Sequence, residues 1–215
     1  MTIHAIIFDL EGVLLITKEK NISETLSKKL GFPVESIKKL FHSEMNDLVD
    51  VGGATQEDYW DYMLEELGLP EENRSDLYDF FYNDFFIDQE LLTIIRDLRR
   101  TFQTGLLTNF SDVLRPMLEN EWSVAGAFDE ILISWEEKVI KPNPAIYERM
   151  LSRLKREPQE AVFIDDRLIN VDGARAIGMH AILFENKAQA LDDLQQLLET
   201  PALVSSEWCQ EDAIK

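Results

Sequence analysis

The chain has 215 residues, 45% of them hydrophobic, enough for one domain of ordinary size with a real core and a smaller attachment. Its 41 acidic against 21 basic side chains give a net charge of −20, which repels phosphate backbones and anionic bilayers, so neither nucleic acid nor a membrane is an expected partner. The single cysteine, Cys209, excludes an internal disulfide, and the start MTIHAIIFDL has no basic, cleavable leader; with no run of about 20 apolar residues, a soluble cytoplasmic protein is expected.

Residues 3–8 form an apolar, β-branched run ending at Asp9, the pattern of a buried central strand, and Gly12 permits a tight turn just after it. From Ile22 to Phe86 the periodicity is helical. Ile22, Leu26 and Leu30 repeat every four residues and stop at Gly31. Ile37, Leu40, Phe41, Met45, Leu48 and Val49 mark a second stripe. Thr55 stands as an N-cap before Tyr59, Met63 and Leu67, and an aromatic-rich segment covers 74–85. These four helices make a small bundle, and Tyr78, Phe80, Phe81, Tyr82, Phe85 and Phe86 are expected to form its core and its contact with the main domain.

After Leu91 the pattern alternates between helix and strand: a helix over 91–98, a strand in TFQTGLLTN, a helix over 112–121 and a strand over 128–133. A helix over 144–154, the strand AVFIDD, a helix over 170–178, the strand HAILF and a helix over 188–198 follow. The expected fold is α/β, a Rossmann-like core with a parallel sheet and an inserted four-helix cap. The core is drawn over 1–16 and 88–200, the cap over 17–87 and a tail over 201–215, where Trp208 and Cys209 carry no motif.

In an open parallel sheet, loops and helix N-termini converge beyond the carboxyl ends of the strands. Four segments bring polar groups there: Asp9-Leu10-Glu11-Gly12, Thr108-Asn109, Lys141-Pro142, and Asp165-Asp166 with Asn170 and Asp172 beyond. Gathering Asp9, Glu11, Asp165 and Asp166 without a cation costs repulsion and desolvation, and Mg²⁺, which takes oxygen ligands, removes that difficulty. Asp9 can then act as ligand and nucleophile, Thr108 and Lys141 can hold transferring oxygens, and Glu11 can donate and recover a proton.

With these motifs the sequence resembles the haloacid dehalogenase-like hydrolase superfamily, in its small helical-cap phosphatase branch. The matching pieces are FDLEGV at 8–13, LLTN at 106–109, KPNPAIY at 141–147 and FIDDRLINVDGARAIGM at 163–179. The resemblance implies Asp9 as nucleophile, and Thr108 and Lys141 as phosphate contacts with Asn109 beside them. It further implies an Mg²⁺ held by Asp9, Asp166 and the backbone carbonyl of Glu11, with Asp165 and Asn170 in support. Glu11 is the departure, since most phosphatases of the superfamily carry Asp there, although the enolase-phosphatase branch has a similar Asp-x-Glu-Gly start.

The expected activity is Mg²⁺-dependent hydrolysis of a small phosphorylated metabolite through an aspartyl phosphate. The alternatives are a 2-haloacid dehalogenase, in which Asp9 attacks carbon, a phosphoglucomutase-like phosphotransferase, and a catalytically impaired binding or regulatory protein. The dehalogenase ranks lower because that branch typically places an aromatic residue where Glu11 stands and needs no Mg²⁺. Arg167 reads either as a substrate-facing charge or as a solvated neighbour of the two Asp residues, and Lys18 and Lys20 near the cap hinge are equally ambiguous. His4, His42 and His180 share no ligand spacing and are expected to be structural or exposed. A monomer is expected, with a homodimer left open.

Overall fold

The computed structural model describes residues 2–17, 22–83 and 85–198, with the backbone alone at 22 and 80–83. The expectations for Lys18, Lys20, Phe80, Phe81, Tyr82, Trp208, Cys209 and the 201–215 tail lie outside the described residues and side chains.

The chain opens with β1 (Ala5–Phe8) and β2 (Leu15–Thr17). The helices α1 (Ile22–Leu30), α2 (Val34–Phe41), α3 (Glu44–Asp50), α4 (Gln56–Leu67) and α5 (Arg74–Asn83) follow, and β3 (Phe85–Ile87) then pairs antiparallel with β2. Next come α6 (Gln89–Leu98), β4 (Gln103–Thr108), α7 (Leu114–Pro116) running on as a wider turn over Met117–Glu121, β5 (Glu130–Ile133), α8 (Ser134–Glu137) and α9 (Pro144–Leu154). The chain closes with β6 (Ala161–Asp165), α10 (Leu168–Ala176), β7 (His180–Leu183) and α11 (Lys187–Leu198). The main sheet is parallel in the order β5-β4-β1-β6-β7. The order reverses beside β1, so its carboxyl end and that of β6 open onto the crevice where an α/β sheet binds ligands.

Alternation along the strands explains why both faces are covered. Ile6, Phe8, Val162 and Ile164 point into one core with Leu91, Leu92 and Ile95 of α6 and Leu194 of α11. Ala5, Ile7, Ala161 and Phe163 point into the other, with Ile146, Tyr147 and Met150 of α9. The stem of the insertion belongs to the first core, because Val13, Leu14, Leu15 and Ile87 are buried there.

The inserted region differs from the sequence expectation in three ways. Among the described residues, five α-helices, not four, lie between β2 and β3, because the second apolar stripe breaks at His42-Ser43, where the Ser43 hydroxyl accepts from the Asn46 amide at 3.2 Å and starts a new helix. Leu48 is consequently 46% exposed. A strand also closes the insertion at Phe85–Ile87, too short to register against a helical pattern. Of the described side chains of the aromatic run, Phe85 packs on the main core, as expected of a contact with it, whereas Tyr78 and Phe86 are exposed, and Leu26, Ile37, Tyr59, Trp60, Met63 and Leu77 fill the bundle. The Thr55 capping box is present, with its hydroxyl accepting from Asp58 N at 3.2 Å while the Asp58 carboxylate accepts from Thr55 N at 2.8 Å.

Candidate active site

Asp9 follows β1, Thr108 ends β4, and Asp165 and Asp166 stand at the end of β6, so the sheet itself gathers them. Lys141 comes from the loop before α9 and lies between two of them, with its Nζ 2.7 Å from Asp9 Oδ1 and 2.7 Å from Asp165 Oδ2. All three of these side chains are buried. Asp9 Oδ1 also accepts from the Leu10 amide at 2.7 Å. Asp165 is fully engaged: besides Lys141 it accepts from Arg167 N at 2.8 Å and from Asn170 Nδ2 at 3.1 and 3.0 Å.

Its neighbour Asp166 points elsewhere and is exposed to the cleft. Gly12, at φ +78°, makes room for it, since a Cβ there would stand 2.2 Å from Asp166 Oδ2. Two adjacent carboxylates are thus assigned different surroundings by one strand end.

Asn109, expected beside the substrate, uses both ends of its amide on the Lys141 backbone, accepting from Lys141 N at 2.8 Å and donating to Lys141 O at 3.1 Å. It fixes the lysine loop. Asn170 likewise orients Asp165, and its backbone carbonyl accepts from Tyr147 Oη at 2.9 Å. Its Oδ1 is buried without a hydrogen-bond partner among the described residues. Asp172 lies within α10 and pairs with Arg175 at 3.3 Å.

A cavity of about 540 Å³ is lined by Asp9, Glu11, Thr108, Lys141, Asp166 and Asn170 among others. A second, of about 800 Å³, shares Glu11, Asn109, Lys141, Arg167 and Asn170 with it and extends under the inserted helices to His42, Asp47, Asp50 and Tyr59. His42 therefore faces a cavity as well as solvent, and Arg167 lines both cavities. Sequence reading identified neither which inserted-helix residues line this cavity nor the contacts that seat them. Ser111 Oγ donates to Gln56 Oε1 at 2.7 Å, Gln56 N donates to Asp112 at 2.8 Å, and Trp135 Nε1 donates to Ala54 O at 2.8 Å. Lys138 reaches Gly52 O at 2.8 Å while lying over the Trp135 ring.

Comparison with known proteins gives the same family from an independent direction. The haloacid dehalogenase-like hydrolase family matches residues 3–178. The chain belongs to the haloacid dehalogenase-like hydrolases. It is 31% identical over 94% of its length to bifunctional epoxide hydrolase 2 of Sus scrofa, and spans 41% of that relative. It is 26% identical to a glyceraldehyde 3-phosphate phosphatase of Pyrococcus furiosus, covering 90% of this chain and 85% of that one. A HAD family enzyme of Bacteroides thetaiotaomicron, solved with magnesium and inorganic phosphate, shares the fold at TM-score 0.72 and 24% identity, over 87% of this chain and 98% of its own.

The electrostatics of the cleft follow from crowding acids together. Burial pushes the Asp9 carboxyl well above the usual carboxylate range, opposed by Lys141 and reinforced by Asp165. Glu11 is raised by its enclosure in the cleft and then by Asp166, against Lys141 and Arg167, and Asp166 is raised by desolvation and Asp165. On the inserted helices, Asp50 is pushed up to about 7 by desolvation, Glu11 and Asp47. Oxygens of Asp9, Asp165 and Asp166 lie within 4.8 Å of one another, next to the unpartnered Asn170 Oδ1. An all-oxygen donor set with surplus negative charge suits a hard divalent cation such as Mg²⁺. Among the described residues, no helix is long and apolar enough to cross a membrane.

Proposed function

We propose that the protein hydrolyses a phosphomonoester with Mg²⁺, through a phosphoryl group carried on Asp9. The observation that carries this reading is the contrast between Asp165, saturated by Lys141, Arg167 N and Asn170, and Asp166, left open toward Asp9 across the cleft. Asp9, Asp166 and the Glu11 carbonyl would hold the metal, with Asp165 and Asn170 orienting the surroundings. When bound, the cation supplies charge neutralisation that lets an anionic phosphate approach anionic Asp9.

Asp9 attacks phosphorus, and the bond to the alcohol oxygen breaks as the aspartyl phosphate forms. Glu11, kept protonated more readily than an ordinary carboxyl, gives its proton to the departing alkoxide and then, ionised, takes a proton from the water that frees Asp9 and phosphate. Lys141 and Thr108 contact the transferring oxygens, and Asn109 keeps Lys141 in place. The phosphatase relative from Pyrococcus and the magnesium and phosphate held by the Bacteroides enzyme support this reading. Attack on carbon, as in a 2-haloacid dehalogenase, leaves Glu11 and the cation-demanding carboxylates without work.

We read residues 1–16 and 88–200 as the catalytic core and 17–87 as its cap, hinged at the β2–β3 ribbon, because Leu15 and Ile87 are anchored in the main core while the helices between them have a core of their own. One chain supplies every group the reaction needs, so a monomer suffices. The test is hydrolysis of p-nitrophenyl phosphate with and without Mg²⁺, and by Asp9→Asn. Turnover should require Mg²⁺ and fall by roughly 10³-fold to 10⁶-fold in the variant, the scale of losing a nucleophile. Mg²⁺-independent turnover, or wild-type turnover by Asp9→Asn, rejects the mechanism.

A further inference from the structure

The larger cavity opens from the catalytic cleft, with Lys141 and Asn170 on its wall, into the space between α2–α3 and the core. Its volume of about 800 Å³ lies in the upper range of small-molecule sites and far exceeds what a three-carbon alcohol fills. Its walls differ in chemistry. Apolar surface comes from Phe41 on α2, Phe85 on β3, Phe110 after β4 and Ile169 at the start of α10. Ile169, three residues beyond Asp166, is 57% exposed beside an equally exposed Leu168. Among neutral polar groups such as Asn46, Gln56 and Ser111, the charged part has an acidic surplus: Asp47 and Asp50 come from α3 and Glu11 from the core, against Arg167 and a Lys141 already engaged by Asp9 and Asp165.

Resting on the phosphatase reading, we propose that this cavity is the leaving-group chamber, that Ile169 and the three phenylalanines select an alcohol with an extended apolar body, and that Asp47 and Asp50 reject a second anionic group. The continuity argues for it. A phosphate beside Asp9 has its ester oxygen next to Glu11, which lines both cavities, so the attached alcohol is directed into the larger one. A carboxylate or second phosphate there meets Asp47 and Asp50 in surroundings already crowded with negative charge, whereas a hydroxyl finds acceptors and a hydrocarbon finds aromatic and aliphatic surface. The chamber thus recognises neutral, partly apolar alcohols by attraction and excludes acidic ones by repulsion.

The experiment is a kcat/KM series on the full chain with Mg²⁺. It uses ethyl, butyl, hexyl and octyl phosphate below their micelle concentrations, the pair glycerol 3-phosphate and 3-phosphoglycerate, and p-nitrophenyl phosphate as the common reference. Wild type should gain about tenfold or more from ethyl to octyl, as a hydrophobic pocket returns added methylenes, and should favour glycerol 3-phosphate over 3-phosphoglycerate by about tenfold. Ile169→Asp should flatten the chain-length series, and Asp47→Asn with Asp50→Asn should narrow the glycerol-to-glycerate ratio about fivefold. A flat series, or preference for 3-phosphoglycerate, with p-nitrophenyl phosphate still turned over, overturns the chamber while leaving the phosphatase reading intact. Absence of turnover on every ester, the reference included, overturns both.

Discussion

The two walls of the cleft handle charge in opposite ways. On the core wall, Asp9, Lys141 and Asp165 are buried and locked to one another and to backbone amides, so their positions are set before any ligand arrives. On the cap wall, Asp50 is half-buried and engages no hydrogen-bond or ion-pair partner among the described residues, and Asp47 and His42 are exposed. Preorganised charge suits bond making, because nothing has to reorganise as charge moves. Loosely held charge suits selection, because it meets each alcohol as it comes.

The comparison can be broken most severely at Lys141. Lys141→Met leaves Asp9 and Asp165 buried without their shared cation, and such uncompensated burial should cost about 3–5 kcal/mol in urea unfolding, partly restored by millimolar Mg²⁺. A loss below 1 kcal/mol would mean that the core wall is not held by this lysine.

Glu11→Gln sharpens the same contrast, since Glu11 belongs to the core wall but titrates in the shared space. It should keep Mg²⁺ binding, which uses the backbone carbonyl, and lose turnover by roughly 10²-fold to 10⁴-fold. The bond-breaking loss should be smaller for p-nitrophenyl phosphate, whose leaving oxygen needs little protonation, than for an alkyl phosphate. A first-turnover burst of p-nitrophenol followed by a slow steady rate would place the remaining defect in water activation. Equal steady rates for both proteins on both esters exclude the acid/base role.

Asp50→Asn probes the cap wall through stability. The folded Asp50 carboxyl titrates at about 7 against an ordinary 3.8, so between those values the folded state holds a proton that the unfolded chain has released. Stability therefore falls as pH rises through that window, and the deficit is complete above about 7. Asn carries no such burden. In metal-free buffer the variant should gain about 1–3 kcal/mol at pH 8 and nothing at pH 4, allowing for water in an open cavity. A gain independent of pH would show that Asp50 is not strained by charge.

The polar edge of the sheet was legible in the sequence because its signals are local. A β-strand that ends at a carboxylate delivers that carboxylate to the sheet edge whatever the rest of the chain does, and this holds for Asp9, for Thr108 and for Asp165-Asp166. The bundle was legible only in outline. A stripe running through Ile37 and Val49 cannot reveal a break at His42-Ser43, since Ser43 caps a helix only once its hydroxyl meets the Asn46 amide. Tyr78 and Phe86 have the hydrophobicity of core residues and lie outside it: Phe86 alternates on β3 with Phe85 and Ile87, which face the main core, and Tyr78 is exposed on α5 while Trp60, Met63 and Leu77 fill the bundle.

Residue order by itself determined the alternation that buries β1 and β6 on both faces, the helical insertion after the first strand and the identity of the acids at the strand ends, because period and polarity act within a few residues. Tertiary structure alone decided what each acid does. Asp165 and Asp166 are neighbours of the same type, yet Lys141 from 24 residues away claims the first and a side-chain-free Gly12 leaves room for the second. Asp50 became part of the cleft only when α3 folded over it. A carboxylate's pKa and reach depend on charges and dielectric within a few ångströms in space, and those neighbours come from segments that no local pattern connects.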